Sequence, residues 1–428
     1  MSELTLTPAQ AKAVRMVLRE LLCVITGLPG AGKTTLIKAL VDAFKGMILL
    51  AAPTGKAAKR MEQQIGRSAQ TIHRLLEYHP AYGFQRNADC PIDADLVIID
   101  ESSMIDVELA ACLLRAVDPK KTKLLFVGDA NQLPPVGPGR FFGDLIDSGV
   151  CPVAKLTEIL RQDEASGIVK NAHAIHAGEK PEKYPDFIIK SDRYPKECAE
   201  SIIKAVQWLM GAHPELGYDG IQVLCPQRNS EIGAIELNKA LSALRNPHGK
   251  LMPGAFIKSG DRVIQTKNDY ERFVFTQSFV KKHAGAILDF HSARDRKAAH
   301  HRLMGLGAEC GVFNGSTGRV ISYDERNKFA RVKWDDGMLS DYAVGDMLRL
   351  MQAWAITVHR AQGSEFPAVV AVIHSRNTYM LSKELLYTAV TRARSICIVC
   401  GNHLGIAGAL KRITAGTRCT NLKERLRA

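Results

Sequence analysis

A glycine-rich segment near the N-terminus has the residue types and spacing of a phosphate-binding loop. GLPGAGKT (27–34) matches G-x-x-x-x-G-K-[ST] in full, follows an apolar run and precedes a helical pattern. In such a loop, backbone N–H groups and the helix N-terminus bind phosphate oxygens. We expect Lys33 to reach the β- and γ-phosphates of a nucleotide and the Thr34 hydroxyl to ligate Mg²⁺. The other loop residues expected to contact the nucleotide are Gly27, Pro29, Gly30, Ala31, Gly32 and Thr35.

Two adjacent carboxylates end a later apolar run. Asp100 and Glu101 follow DLVII (95–99). The carboxyl ends of parallel strands form the edge of a sheet where ligands bind. Asp100 is therefore expected to hold Mg²⁺, through water, and Glu101 to orient and deprotonate the attacking water. A surface acidic pair is the alternative, and the phosphate loop favours the catalytic interpretation.

Two short stretches have an explanation that needs no ligand. Thr7 and Gln10, with a proline between them, fit a helix capping box, and contact of Gln10 with a nucleotide base is the alternative. Arg392 and Arg394, in YTAVTRARS (387–395), close a predicted helix. Cations in the last turn complement the negative end of a helix, which by itself explains both arginines.

The elements that must position these residues alternate between strands and helices. The predicted strands in the first part are 21–26, 47–52, 95–100 and 123–129, with a helix at 34–44, and the pattern resumes with strands at 221–225, 368–373 and 396–400. Continuous apolar strands alternating with helices predict parallel sheets covered on both faces, and hence an α/β fold with a second α/β domain.

Two segments interrupt this pattern. Residues 263–345 contain short β-rich runs with turns at Asn314–Gly315 and Asp336–Gly337, which predicts a small β-rich insertion in the second domain. Residues 78–93 are too short for a domain and suit a projecting hairpin. Within the first of these insertions, residues 271–311 contain a cluster of Lys, Arg and His, which predicts a helical basic arm. Whether the arm contacts DNA, a protein or only solvent stays open, and no metal-ligand spacing favours zinc.

Composition limits the classes of partner and compartment. The 428 residues carry a net charge of +13, so a polyanionic partner is plausible. No stretch approaches 18 consecutive apolar residues, and the N-terminus lacks the pattern of a signal peptide. Ten cysteines show no disulfide-like spacing; Cys397 and Cys400 would point to opposite faces of a strand. A reducing cytoplasm, of a bacterial or phage-infected cell, is expected.

Seven motifs in order resemble those of superfamily 1B helicases, most closely the RecD and Dda type. They are the phosphate loop, APTGKAAKRM (52–61), DESSM (100–104), GDANQLPPVGPG (128–139), LTEILRQ (156–162), TVHRAQGSE (357–365) and YTAVTRARS. The resemblance implies two RecA-like domains that bind ATP and Mg²⁺ between them and single-stranded DNA across them. It assigns 1–150 to the first domain, 151–262 and 346–428 to the second, 263–345 to an SH3-like insertion, and 78–93 to a strand-splitting pin.

The same resemblance implies roles for individual residues. Gln132 would sense the γ-phosphate, Arg161 would contact it from the second domain, and Arg392 would be the arginine finger, which leaves Arg394 as a helix-end or surface charge. Gly363 and Glu365 would approach the nucleotide. The DNA backbone would be contacted by Pro53, Thr54, Lys56, Thr71, His73, Thr357 and His359.

The resemblance predicts a monomeric motor that moves 5′→3′ and acts at junctions of single- and double-stranded DNA. Two departures from the family are the arm at 271–311 and Arg360, where lysine is commoner. A DNA-stimulated loading or regulatory ATPase and an RNA-directed motor remain alternatives, since backbone contacts do not exclude RNA. A small-molecule kinase would not need the motifs at 357–365 and 387–395.

Overall fold

The structure, a computed structural model, describes residues 6–79, 81–156, 166–217, 219–293, 295–414, 418 and 420–427. The chain divides into two compact units, residues 1–191 with 362–428, and residues 192–361. The predicted fold class is confirmed: the protein is α/β, with the parallel sheets of two RecA-like domains.

The elements of the first unit alternate between strand and helix. Its strands are β1 (Leu22–Gly27), β2 (Ile48–Ala52), β3 (Ala69–Thr71), β4 (Tyr78–His79), β5 (Gly83–Phe84), β6 (Leu96–Ile99), β7 (Lys123–Gly128), β8 (Val153–Leu156), β9 (Phe187–Ser191), β19 (Phe366–Ile373) and β20 (Ala393–Gly401). Its helices are α1 (Pro8–Arg19), α2 (Lys33–Ala43), α3 (Gly55–Ile65), α4 (Ile72–Leu75), α5 (Val107–Arg115), α6 (Phe141–Ser148), α7 (Gly167–Ala177), α12 (Lys383–Val390), α13 (His403–Lys411) and α14 (Leu422–Arg427). Short 3₁₀ helices lie at Ser102–Met104 and Ser375–Met380.

A six-stranded parallel sheet, in the order β3-β2-β6-β7-β1-β8, forms the centre of this unit. Alternate residues of β6 enter two separate cores. Leu96 and Ile98 pack with α1, α2 and α3, whereas Val97 and Ile99 pack with α5 and α6. Because both faces of the strand are buried, it must be apolar throughout, which is why the apolar runs predicted it.

Three more parallel strands of this unit pair in the order β9-β20-β19. β20 is three residues longer at its N-terminal end than the apolar run 396–400 predicted, and it includes Ala393 and Arg394. Cys397 and Cys400 are both buried in it.

The second unit combines a parallel strand pair with an antiparallel sheet. Its strands are β10 (Ile221–Cys225), β11 (Arg262–Gln265), β12 (Asp269–Val274), β13 (Glu309–Val312), β14 (Thr317–Asp324), β15 (Phe329–Trp334), β16 (Leu339–Ala343), β17 (Leu350–Gln352) and β18 (Ala355–Thr357). Its helices are α8 (Pro195–Ala212), α9 (Ala234–Arg245), α10 (Gln277–Ser292) and α11 (Arg296–Gly305), with 3₁₀ helices at Pro214–Leu216, Val344–Arg349 and Val358–Ala361.

The predicted β-rich insertion is an antiparallel sheet in the order β16-β15-β14-β11-β17, and β10 pairs with β18 in parallel. The predicted turn at Asp336–Gly337 joins β15 to β16, with Gly337 at φ 85°. Its relation to the SH3 fold stays a prediction. The basic arm is helical as predicted: α10 and α11 follow β12 in the sequence and precede β13, and these two strands pair with each other. No helix in the described ranges is long and apolar enough to cross a membrane.

Candidate active site

The phosphate loop joins β1 to α2 in a conformation that its glycines allow. Gly30 and Gly32 have φ angles of 83° and 73°, in the left-handed region that residues with a Cβ rarely adopt. At Gly27, a Cβ would lie 2.8 Å from the carbonyl oxygen of Leu156 on the neighbouring strand β8. Lys33, the first residue of α2, donates from Nζ to the carbonyl oxygens of Gly27 and Leu28 at 2.7 and 3.0 Å.

Gln10 supports this loop from the first helix. The predicted capping box is present: Gln10 Oε1 accepts from the Thr7 backbone N–H at 3.0 Å, and Thr7 Oγ1 accepts from the Gln10 N–H at 3.3 Å. Gln10 Nε2 donates to the carbonyl oxygen of Gly32 at 3.3 Å. The side chain is buried and both of its polar atoms are engaged, so its contact with a base stays a prediction.

A cavity of about 310 Å³ lies beside the loop. Of the residues predicted to act on a nucleotide or its metal, the cavity is lined by Pro29, Gly30, Gly32, Lys33, Thr34, Thr35, Asp100, Glu101, Gln132, Gly363, Glu365 and Arg392. Gln10, Gly27 and Ala31 are not part of the lining. Arg161 lies outside the described residues. The cavity therefore brings together residues of six of the seven motifs, from both ends of the sequence but within one compact unit.

The carboxylate pair lies where β6 ends. Asp100 Oδ1 accepts from the Glu101 N–H at 2.8 Å, and Glu101 itself has a φ of 51°. Such a conformation in a residue other than glycine is uncommon and is concentrated at functional sites. Burial, and then the neighbouring Glu101 carboxylate, raise the pKa of Asp100 to about 6, although Lys33 and Arg60 oppose the shift.

The donor set of the cavity fits a magnesium ion. Mg²⁺ prefers hard oxygen ligands and usually one or two carboxylates together with substrate phosphates. The Thr34 hydroxyl and the Asp100 carboxylate both line the cavity, next to the phosphate loop. A bound cation would also offset the burial of Asp100 as an anion.

Gln132 and Arg392 each bring a buried polar atom that has no partner in the described part of the chain. These atoms are Gln132 Oε1 and Arg392 Nε. Buried polar atoms are nearly always hydrogen-bonded, so an orphaned one in a cavity indicates a ligand. Arg392 is only 2% exposed, and its Nη1 donates to the carbonyl oxygen of Ser364 at 3.0 Å.

A buried network connects the segment around Gln132 to α12, just before Arg392. The Tyr387 hydroxyl donates to Asp129 Oδ2 at 2.9 Å, and Gln132 Nε2 approaches the same oxygen at 3.4 Å. The N–H of Leu133 donates to Thr388 Oγ1 at 2.9 Å. Sequence reasoning did not identify Asp129 or Tyr387, because neither stands at a position to which the resemblance assigned a role.

Of the two predicted roles of Arg394, the helix end is wrong, whereas the surface charge agrees with a side chain that is 49% exposed. Arg394 lies in β20, and its Nε donates to Glu365 Oε2 at 2.9 Å. The other oxygen of Glu365 pairs with Arg60 Nη2 at 2.8 Å. Arg60 lines the cavity but was not predicted as a site residue, although it stands within the motif APTGKAAKRM. The other lining residues that sequence reasoning missed are Ala57, Met61 and Gln64.

The residues of the first unit that are expected to bind DNA follow two adjacent strands. β2 and β3 pair in parallel with Ala52 opposite Thr71, so Pro53 and Thr54 lie beside Thr71 at the carboxyl edge of the sheet. Thr54 and Thr71 cap α3 and α4 by accepting from the N–H groups of Ala57 and Arg74, both at 3.2 Å. Lys56 lies 5.9 Å from the centre of the Phe366 ring.

His73 contacts the base of the predicted pin. Its ring centre lies 5.8 Å from that of Tyr78 and 5.6 Å from that of Phe84, the paired residues of β4 and β5. Burial lowers the pKa of His73, although Asp106 opposes the shift. Tyr82, near the turn of the hairpin, is 78% exposed. Tyr78 and Phe84 therefore contact His73, although Tyr78 is still 49% exposed, whereas Tyr82, the most exposed of the three aromatics, stacks on His79 with ring centres 4.8 Å apart.

The other two predicted DNA contacts belong to the second unit. Thr357 ends β18, and His359 lies in the following 3₁₀ helix. Burial lowers the pKa of the adjacent Arg360, and Arg228 adds to the shift.

Comparison with known proteins shows which families and relatives this chain is similar to. The AAA domain family matches residues 5–190, and the UvrD-like helicase C-terminal domain matches residues 352–400. The ATP-dependent RecD2 DNA helicase of Deinococcus radiodurans is 35% identical over 99% of this chain and 53% of its own length. The RecD subunit of the RecBCD enzyme from Mycobacterium tuberculosis is 28% identical over 98% of this chain and 73% of its length. Over nearly its whole length, the chain is similar to helicases of the RecD type.

Two solved structures of Pif1 helicases have a fold similar to that of this RecD-like chain. Pif1 helicase from Bacteroides, in complex with ADP-AlF3 and single-stranded DNA, superimposes with a TM-score of 0.55 at 18% identity over 94% of both chains. Pif1 helicase from Candida albicans gives a TM-score of 0.53 at 17% identity over 98% of both. The RecD-like chain spans about half the length of its Deinococcus relative.

Proposed function

We propose that the protein hydrolyses ATP to move along single-stranded DNA, in the 5′→3′ direction, and to separate duplex DNA. One observation carries the proposal: the phosphate loop, the carboxylate pair, Gln132 and Arg392 line a single cavity. A nucleotide-binding protein without hydrolysis would need the loop alone.

The residues of the cavity divide the work of phosphoryl transfer. The phosphate loop and Lys33 bind the phosphates, and Glu101 accepts the proton of the attacking water. Gln132 Oε1 is available to orient that water or a phosphate-bound group. Arg392 stabilises the charge that develops on the transferred phosphoryl group. Magnesium, held by Thr34 and Asp100, would neutralise phosphate charge when bound.

If the protein is a motor, hydrolysis must also change its affinity for DNA. The buried bonds from Asp129 to Tyr387 and from Leu133 to Thr388 join the Gln132 segment to the helix that precedes Arg392. Loss of the γ-phosphate would therefore act on the Gln132 segment and on α12 together. Coupling requires that the nucleotide bind two conformations with different affinities, and this network supplies the contacts that can differ.

The DNA part of the proposal rests on the sheet edge and on the relatives. Pro53, Thr54 and Thr71 lie side by side at the carboxyl edge, and the hydroxyl groups of Thr54 and Thr71 suit contacts to phosphate oxygens, which carry little sequence information. The RecD2 relative is named a DNA helicase, and a Pif1 neighbour was solved with single-stranded DNA. The direction of movement is inferred from the resemblance.

Strand displacement on tailed duplexes tests the proposal. We expect ATP-dependent displacement of a duplex with a 5′ single-stranded tail and none with a 3′ tail, and Lys33→Ala should abolish it. Hydrolysis that DNA stimulates without displacement would instead indicate a loading or regulatory ATPase. Activity on RNA tails alone would indicate an RNA-directed motor.

A further inference from the structure

Arg60 reaches the nucleotide cavity because of its position on α3. The helix starts at the carboxyl end of β2, where Thr54 caps it. Ala57, Arg60, Met61 and Gln64 all line the cavity. Their spacing of three, one and three residues places them on one face of the helix. The cavity therefore has a third cation, besides Lys33 and Arg392, that none of the expected roles includes.

The guanidinium of Arg60 binds the 363–365 segment at two points. Nη2 lies 2.8 Å from Glu365 Oε1, and Nη1 donates to the carbonyl oxygen of Gly363 at 3.3 Å. The Glu365 side chain is 10% exposed and that of Arg60 is 27% exposed. Arg394 holds the second oxygen of Glu365 at 2.9 Å, but its own side chain is 49% exposed. Of these two arginines, only Arg60 lines the cavity.

This pairing matters because of the charges around the phosphates. The charged residues that line the cavity are three carboxylates and three cations, namely Asp100, Glu101, Glu365, Lys33, Arg60 and Arg392. A triphosphate adds further negative charge. Without Arg60, the mostly buried carboxylate of Glu365 would face that charge without the cation that pairs with it in the cavity. Like charges in a poorly solvated site repel strongly.

We propose that Arg60 is a positioning residue of the nucleotide site, which neutralises Glu365 toward the phosphates and fixes the backbone at Gly363. The proposal rests on the proposed ATP hydrolysis. It differs from a direct phosphate-binding role for Arg60, because the arginine acts through Glu365. Removal of the Glu365 charge should therefore compensate for the loss of Arg60.

Steady-state ATPase and equilibrium binding of a fluorescent ATP analogue test this in four proteins: wild type, Arg60→Ala, Glu365→Gln and the double variant. We expect Arg60→Ala to raise the KM for ATP by about tenfold and to weaken analogue binding similarly, with a smaller change in kcat. The double variant should recover most of the lost affinity. Arg67→Ala is the matched control, since this exposed arginine follows α3 and does not line the cavity.

The outcomes separate the possibilities. A double variant that binds as weakly as Arg60→Ala would overturn the proposal, because Arg60 would then act on the phosphates themselves. Unchanged KM and binding in Arg60→Ala would also overturn it. Thermal unfolding of all the variants shows whether a weak binder is folded. If wild type binds the analogue but does not hydrolyse ATP, the proposed function fails, and the binding arm still decides the role of Arg60.

Discussion

Replacement of Arg392 by alanine tests whether its guanidinium acts on the transferred phosphoryl group. The side chain is buried, and its Nη1 is anchored on the carbonyl oxygen of Ser364, while Nε has no partner among the described residues. The arginine is thus fixed in place with a donor still available. A donor that is oriented before the reaction stabilises a transition state without reorganisation.

The size of the effect follows from what remains in the cavity. Arginine fingers contribute about 10³–10⁵-fold to kcat. We expect a loss near the lower end, about 10³-fold, since Lys33 still supplies positive charge in the same cavity. Nucleotide binding should weaken by less than about tenfold, because the backbone N–H groups of the phosphate loop and Lys33 are unchanged. The anchor to Ser364 is also lost, at a stability cost of about 1–3 kcal/mol.

Single-turnover hydrolysis, measured with and without single-stranded DNA, gives the chemical step, and a fluorescent nucleotide gives the affinity. Arg392→Lys keeps a charge but lacks the planar fork of donors, so it should recover only part of the rate. Arg67→Ala again serves as control. The reasoning is refuted if Arg392→Ala hydrolyses ATP within about threefold of wild type. Arg392 would then be a structural residue that ties α12 to the 363–365 segment.

Three further predictions concern other parts of the chain. Tyr387→Phe removes a hydrogen-bond donor to the buried Asp129 and should lower the DNA-stimulated ATPase rate about tenfold, with a smaller effect on the basal rate. A tenfold loss corresponds to the free energy of one hydrogen bond to a charged group. Arg331→Ala should lower the stability of the second unit by about 2 kcal/mol at neutral pH, measured by urea unfolding. Burial raises the pKa of Asp341, but the hydrogen bonds from Arg331 and His291 outweigh burial and leave this pKa below its ordinary value. The stability that these hydrogen bonds supply is present above about pH 4 and is lost below it. The free energies of unfolding of the variant and of wild type should therefore converge at low pH. Tyr82→Ala should slow strand displacement without changing ATPase activity, and equal displacement rates would exclude base stacking by this ring.

The sequence predicted those features that depend on local pattern. Strands buried on both faces must be apolar along their whole length, so β6 and β7 could be located from composition. The phosphate loop is specified by backbone conformations that only glycine adopts readily, and its spacing was sufficient to identify it. The capping box at Thr7 is equally local, since all of its partners lie within three residues.

Features that depend on distant pairing could not be predicted in this way. Arg394 was assigned to a helix end or to the surface, and its place in a strand was missed because the apolar run begins only at Ile396, whereas β20 is extended by pairing of Ala393 with Phe366 on β19. Arg60 meets Gly363 across 303 positions of sequence. Nothing in the spacing of a helical arginine identifies such a partner, because the contact depends on how strands and helices pack.

Helix α3 connects the two kinds of site that a motor must couple. Its N-terminus is capped by Thr54, at the sheet edge proposed to bind DNA, and Arg60 projects from it into the nucleotide cavity. The two residues are six positions apart, which is about 9 Å along a helix. If a change in the pairing of Arg60 with Glu365 moves the backbone of this helix, Thr54 moves with it. Coupling between sites is a difference in free energy between two arrangements, and this helix gives the nucleotide and the DNA backbone a common element whose position both can bias.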